Sequence, residues 1–166
     1  MRSRDVALVG LLSAVITAGK QALSFIPNVE IVTLLFIIYT VIFGTKRTLL
    51  VSVIFTTLQI FLYGFATWLL VYYFIWPLLI ITTALMKGKL KSEYGYAAVA
   101  GFYGLMFGII FAISESFFYG AAYGLAYWVR GIPFDLIHGV SNFVIVLILF
   151  KPMCSAFSKG KHILYL

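Results

Sequence analysis

The chain has 166 residues, of which 63% are apolar and 10% are charged, and its mean hydropathy is +1.09. An average soluble domain is about 45–50% apolar and about 25% charged, and a globule of this size has too much surface to hide such an excess. Disorder is excluded because disordered chains have low hydrophobicity. The composition predicts an integral membrane protein with several spans, forming one domain over residues 1–166.

Charged residues and the single cysteine limit the function classes further. Twelve Lys and Arg residues against five Asp and Glu give a net charge of +7. Cys154 is the only cysteine, so neither an intramolecular disulfide nor a cysteine-based metal site is expected. Arg2 and Arg4 precede an apolar run, as in a signal peptide. No cleavage site of small residues follows, so we expect a retained helix.

Runs of about 20 mostly apolar residues predict spanning helices, and six candidate segments follow one another along the chain. The first ends before Pro27, the second is short, and the last begins at Pro133, which suits a first helical turn. Short links predict antiparallel neighbours. The predicted helices are Val6–Phe25, Val29–Phe43, Thr48–Tyr63, Thr67–Met86, Tyr96 to at least Tyr119, and Pro133–Phe150.

Basic residues separate by loop. With a cytoplasmic N-terminus, only Lys20 and Arg130 fall in the outer half. The cytoplasmic side then holds Arg2, Arg4, Lys46, Arg47, Lys87, Lys89, Lys91, Lys151, Lys159 and Lys161. This bias predicts an all-α bundle of six transmembrane helices with both termini cytoplasmic. The charges orient the chain and meet anionic headgroups of the lipid bilayer, so no nucleic-acid partner is expected.

Acidic residues within the predicted spans suggest a polar chamber open to the outside. Glu30, Glu115 and Asp135 lie in the outer half, at the level of Lys20 and Arg130. An ionisable group inside a span usually faces a cavity or a partner.

Helix 6 carries the sharpest pattern. Asp135, His138 and Asn142 are spaced i, i+3 and i+7, which places them on one helical face. A carboxylate, an imidazole and an amide there can form several hydrogen bonds with a ligand. A buried polar network between helices, without ligand, is the alternative. A zinc site is disfavoured because one histidine in the membrane leaves too few nitrogen or sulfur ligands.

Helix 4 and the first outer loop add candidates. Trp68, Tyr72 and Trp76 recur at steps of four residues. Trp68 is typical of a membrane-interface anchor, whereas Tyr72 and Trp76 lie deeper, where a ring can stack on a ligand. In the loop, Asn28 and Glu30 either cover the chamber or cap helix 2.

Helix 5 offers Glu115 and Tyr119, one turn apart. Both are candidates for ligand contact. For Glu115, a structural salt bridge to Lys20 or Arg130 is the alternative.

Two stripes of small residues predict close helix packing. On helix 1 the stripe faces either a partner or the rest of the bundle, and on helix 5 we expect it to be internal. The stripes are Gly10, Ala14 and Ala18 on helix 1, and Gly101, Gly104 and Gly108 on helix 5.

Motifs that carry known chemistries are missing from the sequence. It has no Gly-x-x-x-x-Gly-Lys-Ser/Thr phosphate loop, no Gly-x-Ser-x-Gly and no His-Glu-x-x-His. Asp135, His138 and Ser141 on one helix do not make a catalytic triad by spacing. We therefore expect no enzyme and no catalytic residue.

These features together resemble the substrate-binding S component of an energy-coupling factor (ECF) vitamin transporter, over essentially the whole chain. Ala14-Val-Ile-Thr-Ala18 is similar to the Ala-x-x-x-Ala motif that the family places on helix 1. The segment from Gly131 to Phe143, GIPFDLIHGVSNF, resembles the opening of helix 6 in several members. Ile26-Pro-Asn-Val-Glu-Ile-Val resembles their first outer loop.

The resemblance implies a mechanism. An S component of the bacterial cell membrane binds a vitamin in an outward pocket made by the first outer loop and helices 4, 5 and 6. It docks through helix 1 on a membrane T component, which rests on two cytoplasmic ABC-type ATPases, and tilts to release the vitamin. The resemblance therefore implies that Gly10, Ala14 and Ala18 contact the T component. The pocket candidates are Asn28, Glu30, Tyr72, Trp76, Glu115, Tyr119, Asp135, His138 and Asn142.

The resemblance implies no cofactor and no metal. The charges of the predicted chamber indicate which net charge the ligand carries. The two cations and three acids sum to about −1, which disfavours carboxylate vitamins because these need surplus cations. A neutral or cationic heteroaromatic ring fits better. Pyridoxine or the hydroxymethylpyrimidine precursor of thiamin is favoured, and thiamin or riboflavin follows. A self-contained secondary carrier and a structural membrane protein are the other classes.

Overall fold

The structure, a computed structural model, describes the backbone of residues 3–165 and the side chains of residues 3–160. Arg2 and the Lys161 side chain, both expected on the cytoplasmic side, lie outside that description. The described chain is all-helical, and five helices are long and apolar enough to cross a membrane. The helices are α1 (Ser3–Ala22), α2 (Val32–Phe43), α3 (Thr45–Tyr63), α4 (Thr67–Met86), α5 (Glu93–Tyr119) and α6 (Ala121–Tyr165).

The short helix α2 is the centre of the bundle. It contacts each of the other five helices, and ten of its twelve residues are buried. A helix that is apolar on every side is typical of a protein core or a membrane span, and here the other helices cover it. At about 1.5 Å per residue, α2 is roughly 18 Å long, against a hydrocarbon thickness of about 30 Å. It therefore fills only part of the height of the bundle.

Most predicted spans are recovered within a few residues. Helix 4 has the expected bounds, Thr67–Met86. Helix 1 ends at Ala22 rather than Phe25 and helix 2 begins at Val32 rather than Val29, so the loop between them, residues 23–31, is longer than expected. This loop and the start of α2 border the candidate site.

The prediction that helix 6 begins at Pro133 is wrong. α6 begins at Ala121, and it contains Pro133 and Pro152 in its interior. Only Gly120 separates α5 from α6, and its φ of 90° lies in the left-handed region that glycine adopts without strain. An interior proline is tolerated in a membrane helix because neighbouring groups satisfy the freed backbone carbonyl.

Helices α5 and α6 share the most extensive contact in the bundle. A Cβ added at Gly104 would lie 2.7 Å from the backbone N and Cα of Gly139, so the two backbones touch where the helices cross. The expectation that the α5 stripe is internal is confirmed. The crossing holds Asp135 and His138 of α6 against α5.

Ion pairs connect the helices at one end of the bundle, which we call the basic end. An Asp5 carboxylate oxygen of α1 lies 2.7 Å from Nη2 of Arg47 on α3, and Lys151 Nζ of α6 lies 2.6 Å from a Glu93 carboxylate oxygen on α5. The opposite end, where loop 23–31 and residues 64–66 lie, is the cavity end.

Candidate functional site

A cavity with two lobes opens at the cavity end of the bundle. The larger lobe has a volume of about 790 Å³ and the smaller about 480 Å³. Asn28, Trp68, Tyr72 and Phe107 line both lobes, so the lobes are neighbours on a common wall. Pockets for small molecules typically measure about 300–1,000 Å³, so either lobe is large enough for a single heteroaromatic ring.

The short length of α2 explains the position of the smaller lobe. Val32, the first residue of α2, lines this lobe together with Val29 and Glu30 of the preceding loop. Because α2 stops short of the cavity end, the space above its first turn is left to the loop and to the lobe. The first turn of α2 therefore forms the floor of the smaller lobe.

Aromatic rings of α4 form one continuous wall. The Trp68 and Tyr72 ring centroids are 5.0 Å apart, and those of Tyr72 and Trp76 are 5.2 Å apart, each pair meeting edge to face. Phe107 of α5 continues this wall, with its centroid 5.8 Å from that of Trp76. Such rings pack in a fixed geometry and offer surfaces on which a flat ligand can stack.

Loop 23–31 is fastened to α6 by two polar contacts. Ser141 Oγ donates a hydrogen bond of 2.8 Å to the Asn28 carbonyl oxygen. His138 Nε2 lies 3.5 Å from Glu30 Oε1. Glu30 Oε2 also accepts the Thr33 backbone N–H at 2.9 Å, so this carboxylate caps α2 and lines the smaller lobe at the same time.

The environment of Glu30 favours its charged form. Burial by itself raises the pKa of this carboxyl group, but the hydrogen-bond contact with His138 and the hydrogen bonds from Thr33 outweigh it. The resulting pKa lies below the ordinary value of 4.5. Glu30 is therefore an anion at neutral pH, with its side chain 17% exposed.

Asp135 lines the larger lobe with one oxygen engaged. Its Oδ1 accepts the backbone N–H of Gly108 at 2.9 Å, while Oδ2 is buried without a hydrogen-bond partner. A Cβ added at position 108 would collide with this carboxylate, so a larger residue there would force the Asp135 side chain to move. The α5–α6 crossing thus presents a carboxylate at the wall of the lobe.

The lining charges of the two lobes balance. Lys20 and Glu30 line the smaller lobe, and Arg130 and Asp135 line the larger. Lys20 Nζ lies 4.4 Å from the centre of the Tyr63 ring. The fifth charge expected in the chamber, Glu115, is on neither wall. The balance suits a ligand without net charge. Among the described residues, no group of three or more His, Cys, Asp or Glu could hold a metal ion.

Six of the nine predicted pocket residues line the cavity: Asn28, Glu30, Tyr72, Trp76, Asp135 and His138. The other three line neither lobe. Glu115 is buried and accepts a hydrogen bond of 2.9 Å from Thr67 Oγ1, without an ion pair to Lys20 or Arg130 in the described part of the chain. Tyr119 is 58% exposed. Asn142 donates to Thr33 Oγ1 at 3.3 Å, so it belongs to a contact between α6 and α2.

Several lining residues were not among the predicted set. Phe107 lines both lobes and packs its ring 4.7 Å from that of His138. Phe107 and Phe111 are one turn apart and both line the larger lobe, a spacing that is visible in the sequence. Trp68 lines both lobes although its position suggested an interface anchor. Arg130 was expected to contribute a positive charge to the chamber but was not among the predicted pocket residues.

The small-residue stripe of α1 faces away from the bundle. Gly10, Ala14 and Ala18 are all exposed, whereas the buried side of α1 carries larger residues such as Leu12 and Ile16. A Cβ added at Gly10 would meet nothing within 4 Å. Packing within the bundle, one of the two alternatives for this stripe, is not what the structure has.

No family model, no curated protein and no solved structure matches the chain. The geometry of the cavity and the pattern of exposed surfaces are therefore the basis for its function.

Proposed function

We propose that the protein is a membrane-embedded vitamin-binding subunit, the S component of an ECF-type importer in a bacterial cell membrane. The observation that carries the proposal is the cavity at one end of a helical bundle. Its walls are aromatic, its charges balance, and loop 23–31 and helices α4, α5 and α6 contribute to it.

The ligand that fits these walls best is a small uncharged heteroaromatic compound. Stacking on Tyr72 and Trp76 favours a flat ring, and Glu30, Asp135 and His138 offer partners for hydroxyl and ring-nitrogen groups. We propose pyridoxine or the hydroxymethylpyrimidine precursor of thiamin, with thiamin or riboflavin next. A carboxylate vitamin fits less well because each lining cation has an acidic counterpart.

The proposed orientation places the cavity end outside the cell. Most basic side chains then lie on the cytoplasmic side, in agreement with the positive-inside tendency of membrane proteins. In this orientation both termini are cytoplasmic, all six helices cross the membrane, and the ligand enters from outside.

The proposed docking surface is the exposed stripe of α1. Gly10, Ala14 and Ala18 leave a smooth strip along which a helix of a T component can approach closely. Through that T component, two cytoplasmic ATPases would drive release, because the chain has no phosphate loop of its own.

The first experiment is a fluorescence titration of the detergent-purified protein with pyridoxine, hydroxymethylpyrimidine, thiamin, riboflavin, biotin and folate. Trp68 and Trp76 lie on the cavity wall and report on ligand, whereas Trp128 does not line either lobe. A Trp128→Phe variant therefore removes background signal. Saturable quenching by one compound at nanomolar to low micromolar concentration supports the proposal, with calorimetry as a second readout. Silence in both readouts refutes it.

Docking is tested separately from binding. Ala14→Leu adds bulk on an exposed face, so the bundle and the cavity remain intact, while co-purification with T component and ATPases is lost. Ala98→Leu on α5 is the matched control, because Ala98 is also exposed. Uptake that survives Ala14→Leu, or that follows an ion gradient without ATPases, contradicts the docking proposal and favours a self-contained carrier.

A further inference from the structure

Two buried polar atoms on cavity residues have no hydrogen-bond partner. They are Oδ2 of Asp135, at the larger lobe, and Nε1 of Trp76, at the smaller lobe. Native proteins leave few buried polar groups unpaired, so each such group needs an explanation, and at a cavity wall a bound partner is one. The Trp76 side chain is 3% exposed, so its N–H has little access to bulk water.

The chemical character of the two atoms is opposite. An indole N–H is a donor only, and a carboxylate oxygen is an acceptor only. Asp135 Oδ1 is fixed by the Gly108 N–H. Oδ2 is therefore the oxygen of Asp135 that remains for a ligand in the lobe that this residue lines.

Both atoms belong to the same part of the cavity. Phe107 packs against the Trp76 ring, and the next residue, Gly108, holds Asp135. Phe107 and Tyr72 line both lobes. Phe107 and Tyr72 thus connect the lobe that carries the donor residue with the lobe that carries the acceptor residue.

We infer that the ligand accepts a hydrogen bond from Trp76 Nε1 and donates one to Asp135 Oδ2, as an aminopyrimidine does with a ring nitrogen and its amino group. This inference rests on the proposed function and narrows it. Among heteroaromatic compounds, the two atoms select those that carry an acceptor and a donor on different parts of the rim. A ring lacking either group leaves one protein atom unpaired and binds more weakly.

The test compares three probes by isothermal titration calorimetry on the full-length protein. They are the hydroxymethylpyrimidine precursor, its analogue without the amino group, and its benzene analogue without ring nitrogens. We expect the first to bind tightest and each analogue to lose about tenfold to a hundredfold in affinity. Equal affinities for the three, or no binding of the precursor at millimolar concentration, overturn the inference.

Substitutions in the protein show which protein atom is responsible for each loss of affinity. Trp76→Phe should weaken the precursor about tenfold more than it weakens the benzene analogue, because the analogue loses only stacking surface whereas the precursor also loses the hydrogen bond. Asp135→Asn puts an amide N–H₂ where the acceptor stood, so it should weaken the precursor and spare the analogue without the amino group. Trp128→Phe and Glu115→Gln are matched controls away from both lobes. Folding of every variant is checked by its thermal unfolding, and the comparison of probes on the unaltered protein needs no variant.

The outcomes separate this inference from the proposed function. If a vitamin without an aminopyrimidine ring binds but neither thiamin nor the precursor does, the binding function stands and the donor–acceptor assignment falls. Should the precursor bind with the same affinity to the unaltered protein, Trp76→Phe and Asp135→Asn, the assignment falls again. If no compound of the vitamin panel binds, both are refuted.

Discussion

Replacing Gly104 by alanine should separate the two helices that carry the cavity. An added Cβ would lie 2.7 Å from the Gly139 backbone and from the His138 carbonyl oxygen, where ordinary contact begins at 3.4 Å. All three neighbours are backbone atoms of α6, so the helices must move apart by about 0.7 Å at their crossing. Overpacking of this kind costs about 1–3 kcal/mol, of which the better helix propensity of alanine returns about 0.5–1 kcal/mol.

Thermal unfolding of the detergent-solubilised protein measures this effect, and ligand titration measures its consequence at the site. Since Asp135 and His138 lie within the turn of α6 that precedes Gly139, we expect Gly104→Ala to weaken ligand binding as well as stability. Gly10→Ala is the control, because a Cβ there meets nothing within 4 Å and should stabilise slightly. A Gly104→Ala protein as stable as Gly10→Ala would refute the close crossing of α5 and α6.

Two further predictions concern loop 23–31. Ser141→Ala removes the hydrogen bond to the Asn28 carbonyl and should cost about 1 kcal/mol, seen as faster ligand dissociation in stopped-flow fluorescence; an unchanged rate would mean that this contact does not hold the loop. Glu30→Gln weakens the contacts to His138 and Thr33 and should cost about 1–2 kcal/mol at neutral pH. Because the pKa of Glu30 is lowered in the folded protein, its contribution is present above pH 4.5, the ordinary value, and is lost as the pH falls through the lowered pKa. The difference between the unaltered protein and Glu30→Gln should therefore shrink in acid, and a difference that grows would contradict the assigned role.

Residues at the cavity were predictable where helical spacing alone decides which side they face. Asp135, His138 and Asn142 all point inward, as their spacing requires. Spacing does not say what lies opposite at each depth. One turn below His138, α2 already fills the bundle, and Asn142 meets Thr33 instead of a cavity. The depth at which α2 begins is set by packing among helices distant in sequence.

The bounds of the last helix show a second limit. In soluble proteins a proline marks a first turn or a break, and that rule placed the start of helix 6 at Pro133. The residues from Ala121 to Ile132 carry one charge, Arg130, and no proline, so they continue the helix backwards to Gly120. The same extension brings Arg130 to the larger lobe, where Tyr123 and Tyr127 also line the wall. Tertiary contacts with α5 support this first part of α6.

Whether α2 crosses the membrane is the sharpest test of the six-span topology, because among the helices of the described residues α2 alone is shorter than a typical span. Single cysteines, introduced into a Cys154→Ser background before and after α2, show on which side of the membrane each end of α2 lies. Phe25→Cys lies in the exposed loop before α2, and Lys46→Cys lies in the exposed first turn of α3 after it. In intact cells a membrane-impermeant maleimide should label Phe25→Cys and not Lys46→Cys, and permeabilised cells should label both. Labelling of both in intact cells would mean that α2 is a re-entrant segment, which would reverse the orientation of every later helix. The opposite single-sided pattern would keep the crossing and place the cavity in the cytoplasm, where it could not capture a ligand from outside.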